Sequence, residues 1–204
     1  MPRTQEQYAQ MRDASNQKIY SAALRLFAEK GYGATSIDDI AKTAGLSKGM
    51  VYRHYKSKKE LFSFLFEAAL EGTQDMTRQI ESGGDPREIF ESIAADIYQN
   101  MTDGEDFLNL MMLMTRGLMS KSLPDYQRAL DTDLRAMDAG AKLIRRGQRQ
   151  GVFGAGNPKE MIVCFFSCIQ GLVLMKSLLK ENFHMPDAET MTALLYRGLS
   201  HEHE

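Results

Sequence analysis

The densest run of groups able to do chemistry is KGMVYRHYKSKK, residues 48–59. It holds Lys48, Arg53, Lys56, Lys58 and Lys59, with Tyr52 and His54 among them, and no carboxylate. Cations with no local counter-charge suit an anionic partner, and hydroxyl or ring N–H groups beside them add directional hydrogen bonds to phosphate. On a helix, Lys48, Gly49, Met50, Tyr52, Arg53 and His54 share the outer surface while Val51 turns inward. Gly49 lets backbone approach a groove. Arg53 carries a planar fork that can bridge two acceptors of guanine or hold a phosphate, and both readings stand.

Other chemistry is sparse. Cys164 and Cys168 lie four apart in an apolar stretch and read as small core residues of one helix face, in a reducing compartment. Of four histidines, His54 is in the basic run and His201 and His203 fall in a terminal HEHE that reads as a solvated tail, leaving His184. No nucleophile–base set, metal-ligand cluster or Gly-rich phosphate loop follows from these spacings, so no catalytic residue, cofactor or metal is expected. An enzyme and a protein-binding helical module are the rival classes. Neither explains an exposed basic face.

Charge is divided along the chain. Residues 1–60 carry 11 Lys and Arg against 6 Asp and Glu, so +5; residues 61–204 carry 14 against 21, so −7. That split points to nucleic acid as a partner of the first part only. The opening segment is polar, with Arg3 and Arg12 in an arm ahead of the first helix. The longest apolar stretch, Met161 to Met175, falls short of the roughly 20 residues that span a bilayer. A cytoplasmic location and no membrane partner are expected.

The elements that must position the basic run are helical. Ile19, Ala22, Ala23, Leu26 and Phe27 recur at spacings of three and four, predicting a helix over about 13–30 that Gly31 and Gly33 break. Thr35 and Ser36 are N-cap candidates for a helix over 37–44, with Asp38 or Asp39 completing a capping box and Gly45 ending it. Ser47 then caps a short helix from Lys48 to about Tyr55. Ala41, Gly45 and Val51 supply a small contact residue, a turn residue and an apolar anchor, the needs of a helix-turn-helix. A fourth helix runs towards Ile80, and further helices are expected over about 86–101, 105–120, 124–150, 157–181 and 187–200.

The run TSIDDIAKTAGLSKGMVYRHYKSKKELF, with AALRLFAEKGYGATS before it, resembles the DNA-binding domain of the tetracycline-repressor (TetR) family over residues 15–66. The resemblance implies an all-α chain of about nine helices. Residues 1–60 would form a three-helix DNA-binding domain, and residues 61–204 a larger helical effector-binding and dimerisation domain. It implies a homodimer on a palindromic double-stranded DNA operator, most often a repressor, released by a small apolar or amphipathic effector. Position by position, it makes Thr35, Tyr52, His54 and Lys58 phosphate contacts, and Lys48 and Gly49 contacts to base edges or adjacent phosphates. Met50 and Arg53 stand where the family varies, and so are candidates for sequence discrimination. Tyr55 is expected to pack inward against the first helix.

In the body, the Met-rich FLNLMMLM suggests a pliable cavity, with core filling as the alternative. Tyr98, Phe107, Met111, Met114, Arg116, Tyr126, Phe165 and Gln170 are the candidate pocket residues, with Asn109 a further polar group. The stretch Met161–Met175 is apolar on nearly every side, which requires burial on more than one face. Phe166, Ile169, Val173, Leu194 and Leu195 are the candidate dimer contacts, with simple core membership as the alternative.

Overall fold

The computed structural model describes residues 14–196, and every regular element among them is helical. In chain order these are α1 (Ala14–Lys30), α2 (Ile37–Ala44), α3 (Lys48–His54), α4 (Lys58–Ile80) and α5 (Pro86–Thr102). There follow α6 (Asp106–Met119), α7 (Tyr126–Arg149), α8 (Pro158–Leu179), a 3-10 turn over Lys180–Asn182, and α9 (Ala188–Tyr196). The all-α architecture is the expected one. Arg3 and Arg12, Leu199 and the HEHE tail lie outside the described residues.

The helices gather into two compact units. Among the described residues, one takes 14–72 together with Glu105–Tyr126, and the other takes Thr73–Gly104 and 127–196. These units divide the chain at other points than the expected boundary at residue 60: α4 runs through that point unbroken, and α6 falls in the first unit. Polar bonds show why. Asp106 accepts from Ser21 Oγ at 2.8 Å and Gln17 Nε2 at 3.0 Å, and Arg116 Nη1 donates to the Glu29 carbonyl at 3.0 Å and that of Ala28 at 3.3 Å. Partners more than 80 residues apart leave no mark on local periodicity.

The first unit's core is built from Ile19, Ala23, Leu24 and Phe27 of α1, Ile40 of α2, Val51 of α3, and Leu61 and Leu65 of α4, all fully buried. The Phe27 and Phe62 rings meet edge to face at 5.2 Å, and Tyr32 stands 4.8 Å from Phe62. In the second unit Phe90 is central, 5.3 Å from the Phe165 ring and 5.5 Å from Phe153, with Ile93, Ile144, Ile162 and Leu195 closed around them. Asp85 caps α5 and Asn157 caps α8, each followed by proline at the first helical position, where no amide hydrogen is needed.

The long apolar helix differs from expectation in which face is free. Ile169, Val173 and Leu195, expected at a dimer interface, are buried within their own unit, and Phe166 and Leu194 pack half-buried against that core. The exposed face of α8 instead carries Val163, Cys164, Gly171, Leu174, Met175 and Leu178. Cys164 is exposed and Cys168 half-exposed, so the expectation of two core cysteines is also corrected. A helix apolar all round has no polar face to mark its outside, and here Phe90 and Ile144 select the inner one. The apolar stretch also reaches beyond Met161–Met175: with the turn after the helix, Pro158–Asn182 is long and apolar enough to cross a bilayer by length and composition.

The candidate pocket residues fall in both units. Phe107, Met111 and Met114 are half-buried on α6 and Tyr126 opens α7, whereas Tyr98 lies on α5. Phe165 is a core residue, Gln170 is exposed, and Arg116 is engaged at the end of α1. Two surface hollows, one beside Ser21 and Asp106 and one beside Leu134 and Lys142, include none of the eight.

Close approach within the second unit rests on glycine. A Cβ on Gly147 of α7 would overlap the Phe153 ring, and one on Gly140 would overlap the Ile162 side chain. Gly147→Ala should therefore cost about 1–3 kcal/mol by overpacking. The check is thermal denaturation, where a Tm equal to the parent's would show that Phe153 yields freely.

Candidate nucleic-acid interface

The short α2 and α3 are set by their ends. Ser36 Oγ accepts from the Asp39 amide at 3.1 Å while the Asp39 carboxylate accepts from the Ser36 amide at 3.0 Å, a complete capping box. Asp39 is held below its ordinary value of 3.8, chiefly by the Ser36 hydroxyl and amide. Gly45 ends α2 at φ 67°, a left-handed conformation costly to a residue with Cβ, and the Leu46 amide returns to the Ala41 carbonyl at 2.9 Å. Ser47 then caps α3 through the Met50 amide at 3.2 Å. Ala41 and Val51 face inward, 4% and 0% exposed, leaving the other side of α3 to solvent.

That outer side brings together Lys48, Gly49, Tyr52 and Arg53, all exposed, with Met50 and His54 half-exposed at its edges. Lys48 Nζ pairs with Asp38 at 3.0 Å, which raises the ammonium pKa above 10.5 and keeps it charged. The sequence reading missed this partner, which stands ten residues away on α2. Gly49 carries the most information. Its Cβ would meet only Ser47 Oγ, at 3.8 Å, and its φ is not in the left-handed region, so nothing inside the protein requires glycine there.

Thr35 and Lys58, expected at phosphate, also meet groups of the protein itself. Thr35 is 2% exposed, and its hydroxyl donates to the carbonyls of Gly31 at 2.9 Å and Leu26 at 3.2 Å, so its side chain is not available to phosphate. Lys58 Nζ donates to the carbonyls of Thr35 at 2.7 Å and Tyr32 at 2.8 Å, and lies 4.3 Å from the centre of the Tyr32 ring. A motif position tells which residue stands there, not which carbonyls its side chain meets. Tyr55, in contrast, packs inward, 5.7 Å from the Phe64 ring and hydrogen-bonded with Asn16 of α1.

A helix pair joined by a tight glycine turn, with one exposed basic face, defines a helix-turn-helix protein of the kind that docks on DNA. Residues 19–64 match the family described as bacterial regulatory proteins, tetR family. The regulator AcrR of Shigella flexneri is 34% identical over 107 residues, 52% of this chain and 48% of AcrR. The repressor KstR2 of Rhodococcus jostii (strain RHA1) is 26% identical over 149 residues, 72% of each. The solved TetR-family regulator PfmR of Thermus thermophilus superposes with a TM-score of 0.63 at 26% identity, over 89% of this chain and 98% of PfmR. Over residues 19–64 the chain carries a tetR-family DNA-binding segment. In its match to AcrR it spans about half of that protein's length.

Burial pushes the Tyr55 phenol from 10.0 up to about 12. Because the folded value is the higher one, the buried phenol's contribution to stability is intact below pH 10 and is lost as pH rises to about 12. Tyr55→Phe removes this proton, so helix loss in alkali, followed by circular dichroism, should begin at higher pH than in the parent. An unchanged alkaline profile would place the sensitive group elsewhere.

Proposed function

We propose that the chain is a ligand-responsive transcriptional repressor that binds a palindromic operator as a homodimer, with α3 of each subunit in a major groove. The observation that carries this reading is Gly49 on the exposed basic face, a glycine with no internal reason, where a groove-bound helix needs backbone contact. Lys48, Tyr52 and His54 meet phosphates or base edges, and Met50 and Arg53 discriminate sequence. Such a protein works in the cytoplasm, where bacterial DNA is. The tetR-family segment and the repressor KstR2 support the regulatory direction.

The second subunit is assigned to the free face of α8. Leu174, Leu178 and Val163 are 47%, 66% and 49% exposed, too apolar a surface to leave in water along one helix. Two copies of that face, related by a twofold axis, cover each other and set the spacing of the heads. The effector is assigned to the half-buried side chains of α6, Phe107, Met111 and Met114, whose thioethers adapt to apolar or amphipathic molecules. Its binding favours a dimer with the heads at the wrong separation, a coupling of about 1–3 kcal/mol.

Fluorescence anisotropy against duplex DNA from upstream of its own coding region tests the DNA assignment. Lys48→Ala with Tyr52→Ala should weaken binding and flatten its salt dependence, because phosphate contacts release counterions. Gly49→Ala should leave the protein as stable or about 0.5–1 kcal/mol more so, yet bind DNA less tightly. Parental affinity in Gly49→Ala would remove the main support for the reading. For the dimer, Leu174→Asp should give a monomer by analytical ultracentrifugation, and a persisting dimer would move the interface off α8.

A further inference from the structure

We propose that Asp38 determines specificity on the DNA-reading face, as a positioning residue that holds Lys48 to base edges and sets it against phosphate. The proposal rests on the DNA-binding reading above and extends it to a residue of α2. The two carboxylates in the first turn of that helix do different work. Asp39 closes the capping box with Ser36, whereas Asp38 reaches out of its own helix to Lys48, ten residues on. Carboxylate and ammonium stand 3.0 Å apart, with side chains 66% and 52% exposed.

An exposed pair of this kind adds little to stability, because water screens it and two side chains lose freedom. Its effect lies in what it does to the face. Lys48 opens α3, and Tyr52 stands close enough to act on its ammonium electrostatically. A carboxylate there subtracts charge from the surface that draws in any duplex, whatever its sequence.

The two targets open to Lys48 are not equal beside Asp38. A phosphate that met the ammonium would also come close to the Asp38 carboxylate, and like charges at short range repel. A guanine edge is neutral and offers the acceptors O6 and N7. An ammonium has three N–H groups, so Lys48 can keep Asp38 and still donate to such an edge. Asp38 thus weakens the contact that carries no sequence information and spares the one that does.

The test is fluorescence anisotropy with the full chain over a salt series, on the upstream duplex and on the same bases in scrambled order. Asp38→Asn should bind the scrambled duplex about fivefold more tightly, as the freed lysines reach phosphate. Its slope of log K against log salt should be steeper by about 1.8 for two subunits. The upstream duplex should gain less, so the ratio of the two affinities should fall about threefold. Asp38→Glu keeps the charge and should keep the parent's slope and ratio. Asp38→Ser should behave as Asp38→Asn does, with helix content by circular dichroism unchanged in both. In a Lys48→Met background, adding Asp38→Asn should leave the ratio unchanged, since no ammonium remains to be held.

An equal gain on both duplexes would make Asp38 a general surface charge and overturn the proposal. A ratio that still falls in the Lys48→Met background would show that Asp38 does not act through Lys48, and would also overturn it. So would weaker binding of the upstream duplex by Asp38→Asn and Asp38→Ser, which would make Asp38 itself a base contact. If the parent binds neither duplex, or both alike, the DNA-reading assignment of α3 fails and the proposal falls with it. A parent that discriminates, beside an Asp38→Asn variant with the same ratio, sinks the proposal alone.

Discussion

A seven-residue helix does not hold itself together in water, because nucleating a turn costs more than so few hydrogen bonds return. The basic face of this protein is carried on such a helix, α3, with only the eight residues of α2 before it. Both exist because Ile40, Ala41 and Val51 are buried against α1, and because Ser36, Gly45 and Ser47 satisfy the backbone groups at their ends. Every exposed residue of the interface depends on that small inward-facing set. A change at Val51 would abolish the face without touching a single residue that meets DNA.

The same dependence explains the make-up of the first unit. A three-helix head has two short members and needs support, which α4 and α6 provide. Their contribution is partly apolar, through Leu61 and Leu65, and partly polar, through Lys58, Asp106 and Arg116. Polar contacts of this kind fix direction more than they add stability, since they require particular geometry. That suits a head whose task is to present one face at a set angle. It also places a helix with adaptable methionines directly against α1.

The second unit solves a different problem. Phe90, Phe153 and Phe165 fill its centre, and Gly140 and Gly147 let neighbouring side chains come close to α7. One face of α8 is absorbed by this core and the opposite one is left apolar and exposed. The interior of this unit is therefore filled within one chain.

In the basic run, local order was readable because its causes are local. The capping box at Ser36 and Asp39, the left-handed Gly45, the Ser47 cap and the 3.6-residue spacing of apolar positions act over a few residues, and each occurs where the sequence places it. The nine α-helices among the described residues and the inward turn of Val51 and Tyr55 follow from the same short-range rules. What the chain order does not contain is which distant groups meet. Thr35 and Lys58 stand in a familiar pattern, yet the Thr35 hydroxyl and two of the Lys58 N–H groups are turned to carbonyls of the α1–α2 corner. Arg116 lies 87 residues from the carbonyl it holds, and α8 offers several apolar stripes among which only Phe90 and Ile144 choose. Periodicity tells that a side must be buried. Only the packed partners decide which side, because burial is a property of the pair and not of the helix.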